Sequence, residues 1–299
     1  MIIPPYLKQG DDVIIIATAR KISIDELTPS IKIIESRGLN VILGQHVFDI
    51  DNQFAGTDEA RQSDLQWALN HPTAKAIIVA RGGYGSVRLL SNLDFSILKK
   101  YPKWLVGYSD VTVLHHAFHT NNIATLHATM PLNFTKNEEA TQAIFFALFG
   151  DLIETRTQEI TNHNRNGTVT ADVVGGNLSL LYSLSGTPFD IETDGKILFI
   201  EDLDEYLYHL DRMMMQLKLS GKLKNLAGLV VGGMSDMKDN PIPFGKTAEE
   251  IIYDAIKDYN YPVCFQFPAG HIDKNFPIFF GKKTTLTVCS EGARLTYNS

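Results

Sequence analysis

The first 110 residues alternate short apolar runs with helix-patterned segments, and this alternation restricts the possible folds more than any other feature. Residues 13–17 form a continuous apolar run, as expected for a strand covered on both faces. Ser23 and Glu26 make a capping box ahead of Ile24, Leu27, Ile31 and Ile34 at helical spacing, with Gly38 as the stop. Residues 41–43 return as a strand, and 57–70 read as a helix ended by His71 and Pro72. Residues 75–80 are a third strand, 89–99 a helix and 103–107 a fourth strand. Strand–helix units of this length predict a parallel sheet with helices on both faces.

The second half is organised differently. A helix over 138–149 ends at Gly150, and a polar, aperiodic stretch runs to Gly167. It marks a domain boundary: an N-terminal domain over 1–150, a linker over 151–167 and a C-terminal domain over 168–299. Two domains also suit a length of 299 residues. Beyond the linker, strands are expected at 169–174, 196–200, 226–231 and 263–267, and helices at 206–219 and near 247–258. Gly175-Gly176-Asn177 opens a further apolar helix, and residues 284–288 and 293–297 flank a hairpin turn. The fold class is therefore α/β, with a parallel-sheet Rossmann/flavodoxin-like N-terminal domain and a mixed β/α C-terminal domain.

Composition excludes several functions. The net charge is −7 with no concentrated basic patch, which disfavours nucleic acid and anionic membrane as partners. No apolar stretch approaches the roughly 20 residues that cross a bilayer. The start carries no basic region followed by a signal-peptide core, so a cytoplasmic location is expected. The two cysteines, Cys264 and Cys289, lie in apolar, strand-like runs and read as buried thiols.

Open parallel sheets bind ligands beyond the carboxyl ends of their strands. Two predicted strand ends there carry chemistry. Residues 77–80 lead into Arg81-Gly82-Gly83-Tyr84-Gly85, and residues 104–107 lead into Tyr108-Ser109-Asp110. A serine at a sharp strand-to-helix turn is lifted out of the sheet, beside backbone N–H groups that can hold an oxyanion. A serine nucleophile needs a base and a group that orients the base. Strand-end Glu201 and His271, which follows Gly270, offer both. The order serine, acid, histidine also occurs in α/β-hydrolases, but those need a glycine where this chain has Val111.

Each residue also has a plainer reading. Ser109 could be a helix N-cap, Glu201 a surface partner of Arg212 and His271 a turn histidine. His115 and His119, with His116 between them, have zinc-compatible spacing, but no glutamate or cysteine completes a site. They read as packing residues, with no metal. The Gly82–Gly85 turn lacks the lysine and spacing of a phosphate loop.

Six segments in order resemble the LD-carboxypeptidase family of serine peptidases. They are residues 80–85, 107–112, 127–131 and 175–178, Glu201-Asp202 with Asp211-Arg212, and Gly270-His271. The resemblance implies Ser109 as nucleophile, His271 as general base and Glu201 as the residue orienting it. The backbone N–H groups of Gly83 and Asp110 would form the oxyanion hole. Arg81 and Asn177 are candidates for substrate binding, with a structural ion pair as the other reading of Arg81. His127-Ala128-Thr129 stands where the family usually shows His-Gly-Pro, and no catalytic role is assigned to it. The implied reaction removes D-alanine from the L-centre of a muropeptide tetrapeptide in murein recycling. The third peptide residue is open between L-lysine and meso-diaminopimelate. No cofactor is implied, and a homodimer is; the face of Leu207, Leu210, Met214 and Leu217 reads as core, as packing at the domain interface or as packing across such a dimer. Two other readings stand beside it: an immunity-type hydrolase of peptidyl or aminoacyl nucleotides, like the microcin C immunity proteins, and a non-catalytic two-domain small-ligand binding protein.

Overall fold

The computed structural model describes residues 1–297 and divides into two compact units. The first comprises 1–152 with 276–281, and the second 153–275 with the chain from 282 onward.

In the first unit, β1 (Asp12–Ile16), α1 (Ile24–Ser36), β2 (Asn40–Leu43), α2 (Asp58–Asn70), β3 (Ala76–Val79) and β4 (Trp104–Gly107) follow in order. Then come α3 (Thr112–Thr120), β5 (Thr125–His127) and α4 (Glu138–Phe149). The strands pair in the order β2-β1-β3-β4-β5, all parallel. This is the flavodoxin-like order, with its switch point between β1 and β3. A strand from far along the chain, Ile278–Phe280, closes the sheet antiparallel to β5. The capping box of Ser23 and Glu26 opens α1 as expected, and Gly150 ends α4 in the left-handed conformation. Lys103 is buried and its Nζ donates to the carbonyls of Ala68, Leu69 and His71, closing the end of α2. Burial lowers that ammonium to about 8.

One expected helix is absent. Residues 89–99 form two 3-10 turns, Ser86–Asn92 and Ser96–Lys99, with Leu93 extended between them. Asp94 takes the Ser96 N–H on its carboxylate, and its own N–H goes to Gln66 Oε1. Side-chain bonds of this kind compete with helical ones.

The second unit contains β6 (Glu154–Thr157), β7 (Gly167–Asn177), α5 (Leu178–Leu184), β8 (Ile197–Leu203), α6 (Leu207–Leu219), β9 (Gly228–Ser235), α7 (Ala248–Ile256) and β10 (Val263–Cys264). Ile278–Phe280 of the first unit is β11, and β12 (Lys283–Cys289) and β13 (Gly292–Tyr297) complete the sheet. The sheet order is β10-β9-β8-β7-β12-β13-β6, parallel from β10 to β7 and antiparallel from β7 to β6.

Three expectations are corrected here. The segment 151–167 is more than a linker, because β6 lies within it and pairs with β13. Of the readings of the α6 face, core holds and dimer packing falls: Leu210, Met214 and Leu217 are fully buried with Leu198, Ile200 and Ile252, and Leu207 packs against them. Cys264 is buried and its thiol is pushed up to about 12, but Cys289 ends β12 exposed to solvent. Among the described residues no helix is long and apolar enough to cross a membrane.

Candidate active site

Ser109 sits where β4 turns into α3. Tyr108 is extended, and Ser109 then takes φ +62°, a left-handed conformation rare for a residue with a Cβ. Holding serine there costs about 1–3 kcal/mol, which the surrounding structure must offset, and such outliers cluster at functional sites. The conformation is not that of an N-cap, which uses extended backbone. The plainer reading of Ser109 therefore falls.

The glycine turn after β3 lies against this serine. A Cβ on Gly82 would stand 3.1 Å from Ser109 Cβ and 3.2 Å from its Oγ. Gly83 follows at φ +125°, and its N–H has no acceptor among the described residues. Asp110 is buried, and its Oδ2 accepts the Ser86 N–H at 2.8 Å. Burial raises the Asp110 carboxyl above its usual range, opposed by N–H groups from the glycine turn. Arg81 Nη1 donates to the Lys21 carbonyl at 3.0 Å, so one arm of its guanidinium is committed.

In the second unit, Glu201 lies within β8 and is fully buried. Its Oε2 meets His271 Nδ1 at 2.6 Å and also accepts the His271 backbone N–H at 3.1 Å. Burial alone would disfavour the imidazolium. The Glu201 charge and hydrogen bond outweigh that and raise the imidazole above its ordinary pKa. Arg212 does not pair with Glu201; its guanidinium lies over the Tyr208 ring. Gly270 makes the histidine–acid pair sterically possible. At φ +102°, a Cβ there would fall 2.7 Å from Glu201 Cβ and 2.8 Å from Oε2.

Asp202 is buried beside Glu201, and burial with the Glu201 charge raises it to about 7. It accepts from Asn177 Nδ2 at 2.8 Å and from the Ser179 N–H at 2.9 Å. Asn177 also caps α5 through Oδ1, so both ends of its amide are engaged within the fold. Through these contacts it ties the end of β7 to β8 and α5. The histidines of α3 pack as expected: His115 Nε2 donates to the Gly107 carbonyl and its ring meets Phe280 edge-on. Burial lowers His115 to about 3.

The sequence carries no signal for the side-chain tie made by Asp110 or for the steric need for glycine at 270. Asp202 carried one signal, its place beside Glu201 at a strand end.

Residues 13–128 match the LD-carboxypeptidase N-terminal domain, and residues 170–286 match the LD-carboxypeptidase C-terminal domain. A probable murein peptide carboxypeptidase of Bacillus subtilis (strain 168) is 34% identical over 296 residues, covering 97% of this chain and 93% of that protein. The chain belongs to the LD-carboxypeptidase family. It is accordingly a hydrolase, a serine-type LD-carboxypeptidase with the two-domain fold of that family. The crystal structure of muramoyltetrapeptide carboxypeptidase from Oxalobacter formigenes superposes with a TM-score of 0.86 at 29% identity, covering 96% of this chain and 99% of that one. The microcin C7 self-immunity protein MccF, bound to aspartyl sulfamoyl adenosine, also reaches 0.86, covering 100% of this chain and 99% of that one. At 18% identity, that likeness to the LD-carboxypeptidase chain is one of fold.

Proposed function

We propose that this LD-carboxypeptidase cleaves the bond between the L-centred third residue and the terminal D-alanine of muropeptide tetrapeptides. Ser109, His271 and Glu201 act as its triad. The observation that carries this reading is the buried Glu201 carboxylate on His271 Nδ1 at 2.6 Å. A carboxylate held there fixes the ring orientation and directs Nε2 toward a serine hydroxyl.

Ser109 Oγ attacks the scissile carbonyl carbon while His271 Nε2 takes the hydroxyl proton. The oxyanion that forms is held by the N–H groups of Gly83 and Asp110. Collapse of the tetrahedral intermediate breaks the C–N bond, and His271 returns the proton to the departing amine of D-alanine. Water then attacks the acyl-enzyme with His271 again as base, releasing the shortened peptide and regenerating Ser109. Fixed donors and a single serine present one face to the carbonyl, so stereochemistry at the acyl residue is discriminated. A homodimer acting in cytoplasmic murein recycling completes this reading.

The test is a digest of purified tetrapeptide and pentapeptide muropeptides with chiral detection of released alanine. Release of D-alanine from the tetrapeptide, with D-Ala-D-Ala ends left intact, is the expected result. Preferential cleavage of an aminoacyl nucleotide would transfer the assignment to the immunity-type reaction.

A further inference from the structure

An exopeptidase must recognise the charged end of its substrate as well as the bond it cuts. In a carboxypeptidase that end is an α-carboxylate on the leaving residue, separated from the scissile carbonyl carbon only by the amide nitrogen and one Cα. Its counter-charge must therefore lie close to the nucleophile. Arg81 is the basic residue nearest to the oxyanion turn in sequence, but it is partly spent. It donates to the Lys21 carbonyl, and its charge supports the Ser23 backbone in holding the Glu26 carboxyl below its usual range.

Arg20 is placed differently. It follows β1 at the switch point between β1 and β3, where open sheets of this order bind ligands. Its backbone is fixed by a bridge to Phe54, by the Lys21 N–H on the Gln53 carbonyl and by the Ala55 N–H on the Ala19 carbonyl. Its side chain lies along the glycine turn. A Cβ on Gly83 would stand 2.5 Å from Arg20 Cγ, 2.7 Å from Cδ and 3.1 Å from Nε. The neighbouring glycine, Gly82, is the one in contact with Ser109. One turn thus carries the serine against its first glycine and an exposed arginine stem against its second. Among the described residues no carboxylate pairs with the Arg20 guanidinium, and no acceptor takes its hydrogen bonds. A planar fork of donors, unspent and beside an oxyanion turn, has the geometry that a carboxylate accepts bidentately.

We propose that Arg20 anchors the free α-carboxylate of the substrate's C-terminal residue and thereby makes the enzyme an exopeptidase. The glycine at 83 is part of the same device, because any side chain there would displace the arginine stem. This assignment rests on Ser109 being the nucleophile, and the experiment separates the two claims.

Wild type, Arg20→Met and Arg20→Lys are assayed on a tetrapeptide muropeptide ending in D-alanine and on the same peptide ending in D-alaninamide. Fluorophosphonate labelling of Ser109 is followed in parallel. Wild type should prefer the acid. Arg20→Met should raise KM for the acid roughly 10- to 100-fold, change the amide much less, and label at close to the wild-type rate. Arg20→Lys should fall between, keeping the charge without the fork. An unchanged acid-to-amide ratio in Arg20→Met would overturn the anchor. So would equal losses on both peptides with slowed labelling, since Arg20 would then merely support the turn. A wild-type protein that neither labels at Ser109 nor cleaves either peptide would overturn the nucleophile, and the anchor with it.

Discussion

The Asp110 carboxylate accepts the Ser86 backbone N–H at 2.8 Å and so joins the turn bearing Ser109 to the turn bearing Gly83. The tie continues inward. The Ser86 hydroxyl lies 2.7 Å from that of Thr18, and buried Arg61 donates to the Thr18 carbonyl at 2.6 Å. Loops after β1, β3 and β4 are thus held in one buried polar network, which is worth more when every member is present.

Removing this tie should loosen the oxyanion turn without touching the nucleophile. Loss of an oxyanion donor typically costs 10²–10³ in kcat, and a displaced donor should cost roughly 10–100-fold. Asp110→Ala is expected to show that fall in kcat with little change in KM. Asp110→Asn, which keeps an acceptor oxygen, should recover most of it. Steady-state kinetics on the tetrapeptide decide the matter, and equal activity in both variants would argue against the tie.

Ser109→Ala should abolish turnover and leave the melting temperature near or above that of wild type. His271→Ala should be nearly as severe. Glu201→Gln should lose less, since the base remains but is poorly held; losses of roughly 10³-fold or more are usual for triad members. Residual wild-type turnover in Ser109→Ala would end the covalent mechanism.

The pH profile follows from the raised imidazole of His271. Only the neutral base accepts the serine proton, so kcat/KM should climb as pH rises through a value above about 6.5. Glu201→Gln leaves the burial and removes the raising charge, so the acidic limb should move to lower pH. In stability the pairing acts in the opposite sense. Its contribution is full below the unfolded pKa and fades as pH rises through the folded one. A limb that moves upward in Glu201→Gln would contradict the electrostatic account.

Gly270→Ala tests the steric demand beneath the histidine. Its Cβ would meet Glu201 at 2.7 Å from a backbone at φ +102°. The expected loss is roughly 1–3 kcal/mol of stability, together with a fall in kcat as the acid is pushed off the imidazole. Calorimetry and kinetics on one preparation measure both.

The cysteines should separate by accessibility. Exposed Cys289 should react with an aromatic disulfide reagent in the native protein, and Cys264 only after denaturation. Two fast-reacting thiols in the native state would mean that β10 opens readily.

What the sequence made legible was local. The capping box of α1 and the stop at Gly150 depend on neighbours within a turn, and both stand in the structure. Strands β5 and β11 went unread because each has three residues and its partners are distant in sequence. Strand β6 is polar and lies in a stretch without periodicity. Glu201 and His271 could be singled out because each follows an apolar run and supplies a group that a serine nucleophile needs, although in the structure Glu201 lies within β8 and His271 in the loop after β10. The steric role of Gly270 and the placement of Arg20 could not be read, since both depend on how a turn approaches a side chain far away in sequence.

Strand β11 ties the order of synthesis to the completion of the first unit's sheet. Ribosomes add about 5–20 residues per second, and domains usually fold as they emerge. Here the outer edge of β5 stays uncovered until residues 278–280 appear, although Ser109 has long since left the exit tunnel. A chain cut short before that point would already carry all three proposed triad residues, yet would present an open strand edge to proteases and chaperones. Completeness of the chain is thus written into the backbone of the first unit and not into its chemistry.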